Sequence, residues 1–261
     1  MPDVLYVYAI TRASHPLPDG VEAIDGSDRI AAVDAPPLRA IYSPVDDVDF
    51  SQPVIDAQSK NVEWLGAIGY RHQTVMNALL HGGTIIPLRA FTLFASEASL
   101  HAKLIADAVQ FDRVLSRLDD KREWTLRIEL EPQAWSEALG RRVDSLRALN
   151  DEIAQASAGK AFLLRKKLED EKKRASREAE QQLVSEIEDA VNARLRCEVV
   201  AESRQQRGGA YPELNVLLAR DEETVLQELQ AELNARYAAD GVTVALTGPW
   251  PPYTFAGLTN G

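Results

Sequence analysis

Trp124-Thr125-Leu126-Arg127-Ile128-Glu129-Leu130 alternates apolar and polar residues with a period of two. That period is the mark of a strand with one buried face. Reading onward, Pro132 opens a helix whose stripe is Trp135, Leu139, Val143, Leu146 and Leu149. After a break at Ser157-Ala158-Gly159, a long charged helix is expected from Lys160 to about Arg196. Cys197, Val199 and Ala201 begin another strand. Gly208-Gly209 turns it, and Leu214, Val216 and Leu218 return as its partner. Asp221 caps a helix, Gly241 stands where a C′ glycine belongs, and Val242, Val244 and Leu246 alternate in a last strand. Strand, helices, strand, strand, helix, strand is the split β-α-β-β-α-β order of a ferredoxin-like domain.

The first half has the same ingredients in a shifted order. Leu5–Ile10, Arg29–Val33 and Leu38–Val45 read as strands. A single helix is expected over Pro53–Leu80, with Val62, Leu65, Ile68, Val75, Met76 and Leu79 on its apolar face and Gly82-Gly83 stopping it. Thr84–Phe94 reads as a strand that Pro87 pushes toward an edge or bulge. Ser96 caps a helix striped by Leu104, Ala108, Phe111, Leu115 and Leu118. The expected architecture is α+β, with two ferredoxin-like (modified βαββαβ) domains and a long helical hairpin or arm in the C-terminal half. The boundary is placed in the charged stretch around Asp119–Arg122, giving domains 1–121 and 122–261, the second ending in a Pro/Trp-rich strap. The Trp124 strand could join either sheet.

The chain has 261 residues, 40 acidic against 29 basic, and a net charge of −11. Phosphate neutralisation needs clustered Lys and Arg, so the balance argues against a nucleic-acid partner. It equally argues against charge-driven docking on an anionic membrane. No apolar run approaches the length of a membrane span, no signal peptide is read at the start, and the lone Cys197 fits a reducing compartment; a cytoplasmic protein is expected. Lysines, arginines and acids balance over Asn150–Arg196, so the net charge lies entirely elsewhere. Glu169 with Lys173 and Asp170 with Arg174 are expected as i,i+4 pairs. The helix reads either as a solvated, salt-bridged rod or as an arm for a partner.

Catalytic signatures are missing. No His-Glu-x-x-His, G-x-G-x-x-G, P-loop or G-x-S-x-G occurs, and one cysteine cannot build an ordinary zinc set. No catalytic, cofactor-binding or metal residue is therefore assigned, and no cofactor is expected. His72, on the apolar face of its helix, is either a satisfied buried histidine or a switch. Gly248-Pro249-Trp250-Pro251-Pro252-Tyr253 is held extended by its prolines, and its aromatic rings need burial. It reads as a terminal strap folded back over a domain interface or as an aromatic anchor for a partner.

Three stretches together carry a family resemblance. They are Leu5-Tyr6-Val7-Tyr8-Ala9-Ile10, then Ile85-Ile86-Pro87-Leu88-Arg89-Ala90-Phe91-Thr92-Leu93-Phe94, and Leu246-Thr247-Gly248-Pro249-Trp250-Pro251-Pro252-Tyr253-Thr254-Phe255. In order and spacing the chain resembles the gas vesicle protein F/L family. The central stretch departs from that family's Pro-Leu-Arg-Phe-Gly-Thr-Val-Phe-like pattern, which places a glycine after its Phe. The resemblance implies a non-enzymatic accessory protein of gas vesicle assembly, cytoplasmic and associated with gas vesicles. It implies as partners the hydrophobic major shell protein, gas vesicle protein A, and other gas vesicle accessory proteins. Arg89, Trp250 and Tyr253 are the partner-binding candidates. For Arg89, a cation in an apolar strand, an ion pair with an acidic neighbour is the competing expectation. An enzyme or ligand-binding protein of ferredoxin-like fold is the alternative function, since such folds host many activities.

Overall fold

The computed structural model describes residues 3–206 and 209–257. The chain divides into two compact units, Met1–Glu123 with Pro249–Gly261, and Trp124–Gly248. The first break lies two residues beyond the expected boundary. The terminal segment is a correction: it belongs to the first unit, where its side chains find their burial.

In the first unit, β1 (Asp3–Arg12), β2 (Ala31–Ala35), β3 (Leu38–Asp46), β4 (Ile85–Pro87) and β5 (Leu93–Phe94) form one antiparallel sheet. The order is β2-β3-β1-β4, with β5 also pairing β1. A central strand is buried on both faces, which is why Tyr6 to Ile10 is apolar without alternation. The helices are α1 (Gln52–Gln58), α2 (Val62–Gly82), α3 (Glu97–Ala106) and α4 (Ala108–Leu118). Val75, Met76 and Leu79 of α2 pack on Tyr6, Tyr8 and Ile41.

Three expected elements divide here. The Pro53–Leu80 helix breaks at Ser59–Asn61, because Asn61 Oδ1 accepts the backbone N–H groups of Glu63 and Trp64 and starts a new helix. Val62 and Leu65 consequently lie exposed, at 82% and 37%, rather than on the buried face. The Thr84–Phe94 strand is interrupted by a turn: β4 pairs with Ala9–Thr11, β5 with Leu5–Tyr6, and residues 88–92 bridge them. The expected Ser96 helix is also two helices, meeting at Asp107; Ser96 and Ser99 form a reciprocal capping box at the start of α3.

The second unit holds β6 (Lys121–Leu130), β7 (Glu198–Gln206), β8 (Gly209–Ala219) and β9 (Val242–Trp250), in the order β7-β8-β6-β9. The Trp124 strand thus belongs to this sheet. Two of its polar side chains pair with the neighbouring strand: Thr125 Oγ1 donates to Asn215 Oδ1 (2.8 Å) and Arg127 Nε to Glu213 Oε1 (3.0 Å). β7 pairs with β8 from Glu198–Leu217 to Gln206–Gly209; Gly208 of the expected turn lies outside the described residues. Helices α5 (Pro132–Arg142), α6 (Asp144–Gln155), α7 (Ala158–Arg194) and α8 (Glu223–Tyr237) complete the unit. The expected Pro132 helix breaks at Val143, whose backbone is extended. The helix expected from Asp221 starts at Glu223 after a single 3₁₀ turn.

At 37 residues α7 is about 55 Å long. Its stripe of Ala161, Leu168, Ala175, Leu183, Ile187 and Val191 is buried, and Trp135 Nε1 of α5 donates to Ser176 Oγ on it (3.0 Å). Nearer its C-terminus, Tyr237 Oη of α8 donates to Glu186 Oε2 (2.9 Å). Its ion pairs differ from expectation: Glu169 pairs with Lys172 and Glu171 with Arg174, at i,i+3 instead of i,i+4. Such exposed pairs contribute at most about 1 kcal/mol each. The hydrophobic stripe, not the charge, holds this helix down.

Candidate functional site

His72 is carried into the first unit's core by the inner face of α2 and is 6% exposed. Its Nδ1 lies 2.9 Å from Tyr6 Oη and its Nε2 2.9 Å from Tyr253 Oη. Burial pulls its pKa down to about 4, so the ring is neutral. Tyr6 is fully buried, and His72 Nδ1 is the hydrogen-bond partner of its hydroxyl among the described residues. The arrangement that leaves no buried hydroxyl proton unpaired has Tyr6 donating to Nδ1 and Nε2–H donating to Tyr253 Oη. The hydroxyl proton of Tyr253 is then left for a partner beyond His72. Burial pushes that phenol up to about 12, so it stays protonated at neutral pH. The satisfied-histidine reading of His72 holds.

This histidine makes the fold acid-sensitive. An unfolded histidine titrates near 6.5, above the folded value of about 4. Between the two the unfolded chain takes up a proton that the folded chain refuses. Stability is therefore expected to fall as pH drops from about 6.5 toward 4, by about 3 kcal/mol for this group. Urea unfolding at pH 7 and pH 4.5 measures it. His72→Gln keeps a donor and an acceptor without titrating, and should show a shallower pH slope than the parent; equal slopes would discard the assignment.

Residues 89–92 form a turn in the segment that joins β4 to β5. Thr92 donates to the Arg89 carbonyl through both its backbone N (3.2 Å) and its Oγ1 (2.7 Å). Phe91, the third residue of the turn, has φ +65°. That is a glycine-favouring conformation, and Phe91 occupies the place of the glycine in the resembled family's pattern. Its ring compensates by stacking on Trp64, with centroids 5.6 Å apart and planes 11° apart, and by meeting Tyr6 edge-on. The turn presents Arg89 to the surface. The expected ion pair is absent: Arg89 is exposed outside β4, and among the described residues no carboxylate pairs with it.

The terminal segment closes the site. Thr254 donates from its backbone N and Oγ1 to the two oxygens of Glu123, at 3.1 and 2.9 Å. Arg117 Nη1 donates to the Phe255 carbonyl (3.2 Å), and Phe255 is 1% exposed. Within the first unit the segment buries Phe255, while Trp250 at the end of β9 and Tyr253 remain partly exposed.

Arg89 and Tyr253 line one groove of about 470 Å³. Its walls come from Leu88, Phe94, Leu104 and Phe111, and its other polar groups include Lys103, which is ion-paired with Asp107 (2.8 Å). Trp250 is not among the lining residues. Sequence reading missed the walls from α3 and α4, whose leucines and Phe111 look like ordinary core stripe. It also missed the Trp64–Phe91 stack; the departure from the family's glycine was the one signal for it. Among the described residues no three His, Cys, Asp or Glu side chains are grouped to hold a metal ion.

A two-sheet α+β protein with a long helix and, in its first unit, a groove of mixed lining beside the terminal strap is the class these observations define. The profile of the family described as gas vesicle synthesis protein GvpL/GvpF matches residues 4–257, and the chain belongs to that family. It is 29% identical over 272 aligned residues to gas vesicle protein L of Streptomyces sp. (strain CB03234), covering 98% of this chain and 93% of that one. It is 34% identical over 189 residues to gas vesicle protein L2 of Halobacterium salinarum, covering 67% and 64%. The fold resembles the crystal structure of GvpF from Microcystis aeruginosa, with a TM-score of 0.69, 17% identity and coverage of 99% and 100%. For GvpF from Anabaena sp. PCC7120 the TM-score is 0.70 at 14% identity, covering 99% and 98%.

Proposed function

We propose that this protein is a non-enzymatic assembly factor of gas vesicles. It binds the apolar major shell protein, gas vesicle protein A, during nucleation or growth of the shell, and works in the cytoplasm in association with vesicles. The observation that carries this reading is the partly apolar groove of the first unit, which Leu88, Phe94, Leu104 and Phe111 line beside Arg89 and Tyr253. An acidic partner that covers an apolar subunit face keeps that face from aggregating before assembly. We read both sheets as modified ferredoxin-like units. In support, each has its second, third, first and fourth strands in that order across the sheet.

Immobilised protein is expected to enrich gas vesicle protein A from a lysate over an unrelated acidic protein of similar size. Arg89→Glu and Trp250→Ala should each lower the captured amount several-fold, as for polar and aromatic anchors at an interface. No enrichment by the parent protein would sink the reading.

A further inference from the structure

We infer that the first unit's groove is a seat for an amphipathic helix that carries one Asp or Glu side chain within its apolar face, with Arg89 and Tyr253 receiving the carboxylate. The inference rests on the proposed function and names the chemistry that this site selects. Three observations converge on it. The groove wall is mixed, with Leu88, Phe94, Leu104 and Phe111 beside polar groups, so the occupant needs an apolar face that also carries polar positions. In a chain of net charge −11, the groove nevertheless carries a cation whose charge no described carboxylate answers. Lys103 is already engaged with Asp107, so Arg89 is the cation left for a partner.

Hydrogen-bond direction supplies the third observation. Tyr6 is fully buried, and among the described residues its hydroxyl proton has His72 Nδ1 as acceptor, which directs the chain Tyr6 to His72 to Tyr253 and leaves Tyr253 with a proton to give. A guanidinium and a hydroxyl donor in one partly apolar groove match an anionic acceptor with several lone pairs, and a carboxylate is the common one in proteins. A strand is the poorer fit as occupant. β4 ends the sheet after three residues, and its last, Pro87, has no N–H to offer a new strand. A helix satisfies its own backbone and asks the groove only for side-chain contacts.

The test uses the full chain and two fluorescein-labelled helical peptides of about fifteen residues, built from Leu, Ala and Gln. One carries a single Glu inside its leucine stripe and the other has Gln there. The Glu peptide is expected to bind about tenfold tighter, the usual size of one charge-assisted hydrogen bond. Arg89→Gln, at an exposed position, should abolish that difference, and Tyr253→Phe should reduce it, with circular dichroism reporting whether each variant is folded. Equal affinities for the two peptides, no binding of either up to about 1 mM, or a Glu preference that survives Arg89→Gln would each overturn the inference. The shell-protein capture experiment fails independently. Capture by both parent and Arg89→Gln protein leaves the assembly reading standing without this site. Glu-selective peptide binding without capture leaves the site standing without that partner.

Discussion

Phe255→Ala is expected to lower the unfolding free energy by about 3–5 kcal/mol, the usual cost of emptying a well-packed phenylalanine site. Phe255 is 1% exposed, and the chain around it is tied down by Arg117 at the Phe255 carbonyl and by Glu123 at Thr254. Those hydrogen bonds are made by the backbone of residue 255 and by its neighbour, so the substitution leaves their partners in place. What it removes is the apolar area that offsets the entropy of holding an extended tail. The measurement is urea unfolding followed by tryptophan fluorescence. A loss under about 1 kcal/mol, the range of ordinary surface substitutions, would show that Phe255 is not the strap's anchor.

Gly241→Ala is expected to cost about 2–5 kcal/mol, for two separable reasons. Gly241 has φ +71°, which costs a residue with a Cβ about 1–2 kcal/mol. A Cβ there would also stand 2.4 Å from Ala134 Cβ, forcing helix α5 or the turn to shift, and overpacking of this kind costs about 1–3 kcal/mol. The shift is resisted because Glu131 N donates to the Gly241 carbonyl (2.8 Å) at the start of α5. Gly20→Ala is the control. Gly20 has φ +69° but open space where a Cβ would go, so it should show the backbone cost alone. Equal losses for the two variants would discard the steric half of the argument.

Local signals in the sequence reach some of this directly. Gly241 announces itself as a C′ glycine by following a helical stripe and preceding an alternating strand, and it takes the left-handed conformation expected. Ser96 announces α3 in the same way. The helix breaks at Asn61 and Val143 were not legible. Apolar spacing carries across a short interruption without losing phase, and only the caps show that the chain turned. The exposed Val62 shows the same limit, since an apolar residue on a helical stripe is buried only if something packs there.

For the candidate site, Arg89, Tyr253 and His72 each stood out in sequence, yet nothing in their spacing joined them. Arg89 was expected inside a strand, and the turn that lifts it out depends on Phe91 holding a glycine-like backbone against Trp64 and Tyr6. That compensation comes from rings distant in sequence and has no local mark.

The sequence by itself determined the α+β class, the strand–helix order of the second half, the long α7 rod and the membership that its three separated motifs suggested. All of these follow from short-range periodicity, turn residues and motif identity. Tertiary structure alone decided that the last residues return to the first unit, that Tyr6, His72 and Tyr253 form one hydrogen-bonded chain, and that Arg89 opens onto the same groove. Those are choices among distant partners. Their outcome depends on which cavity can accept a phenylalanine and which buried nitrogen needs a hydroxyl, and neither is written in the spacing of residues along the chain.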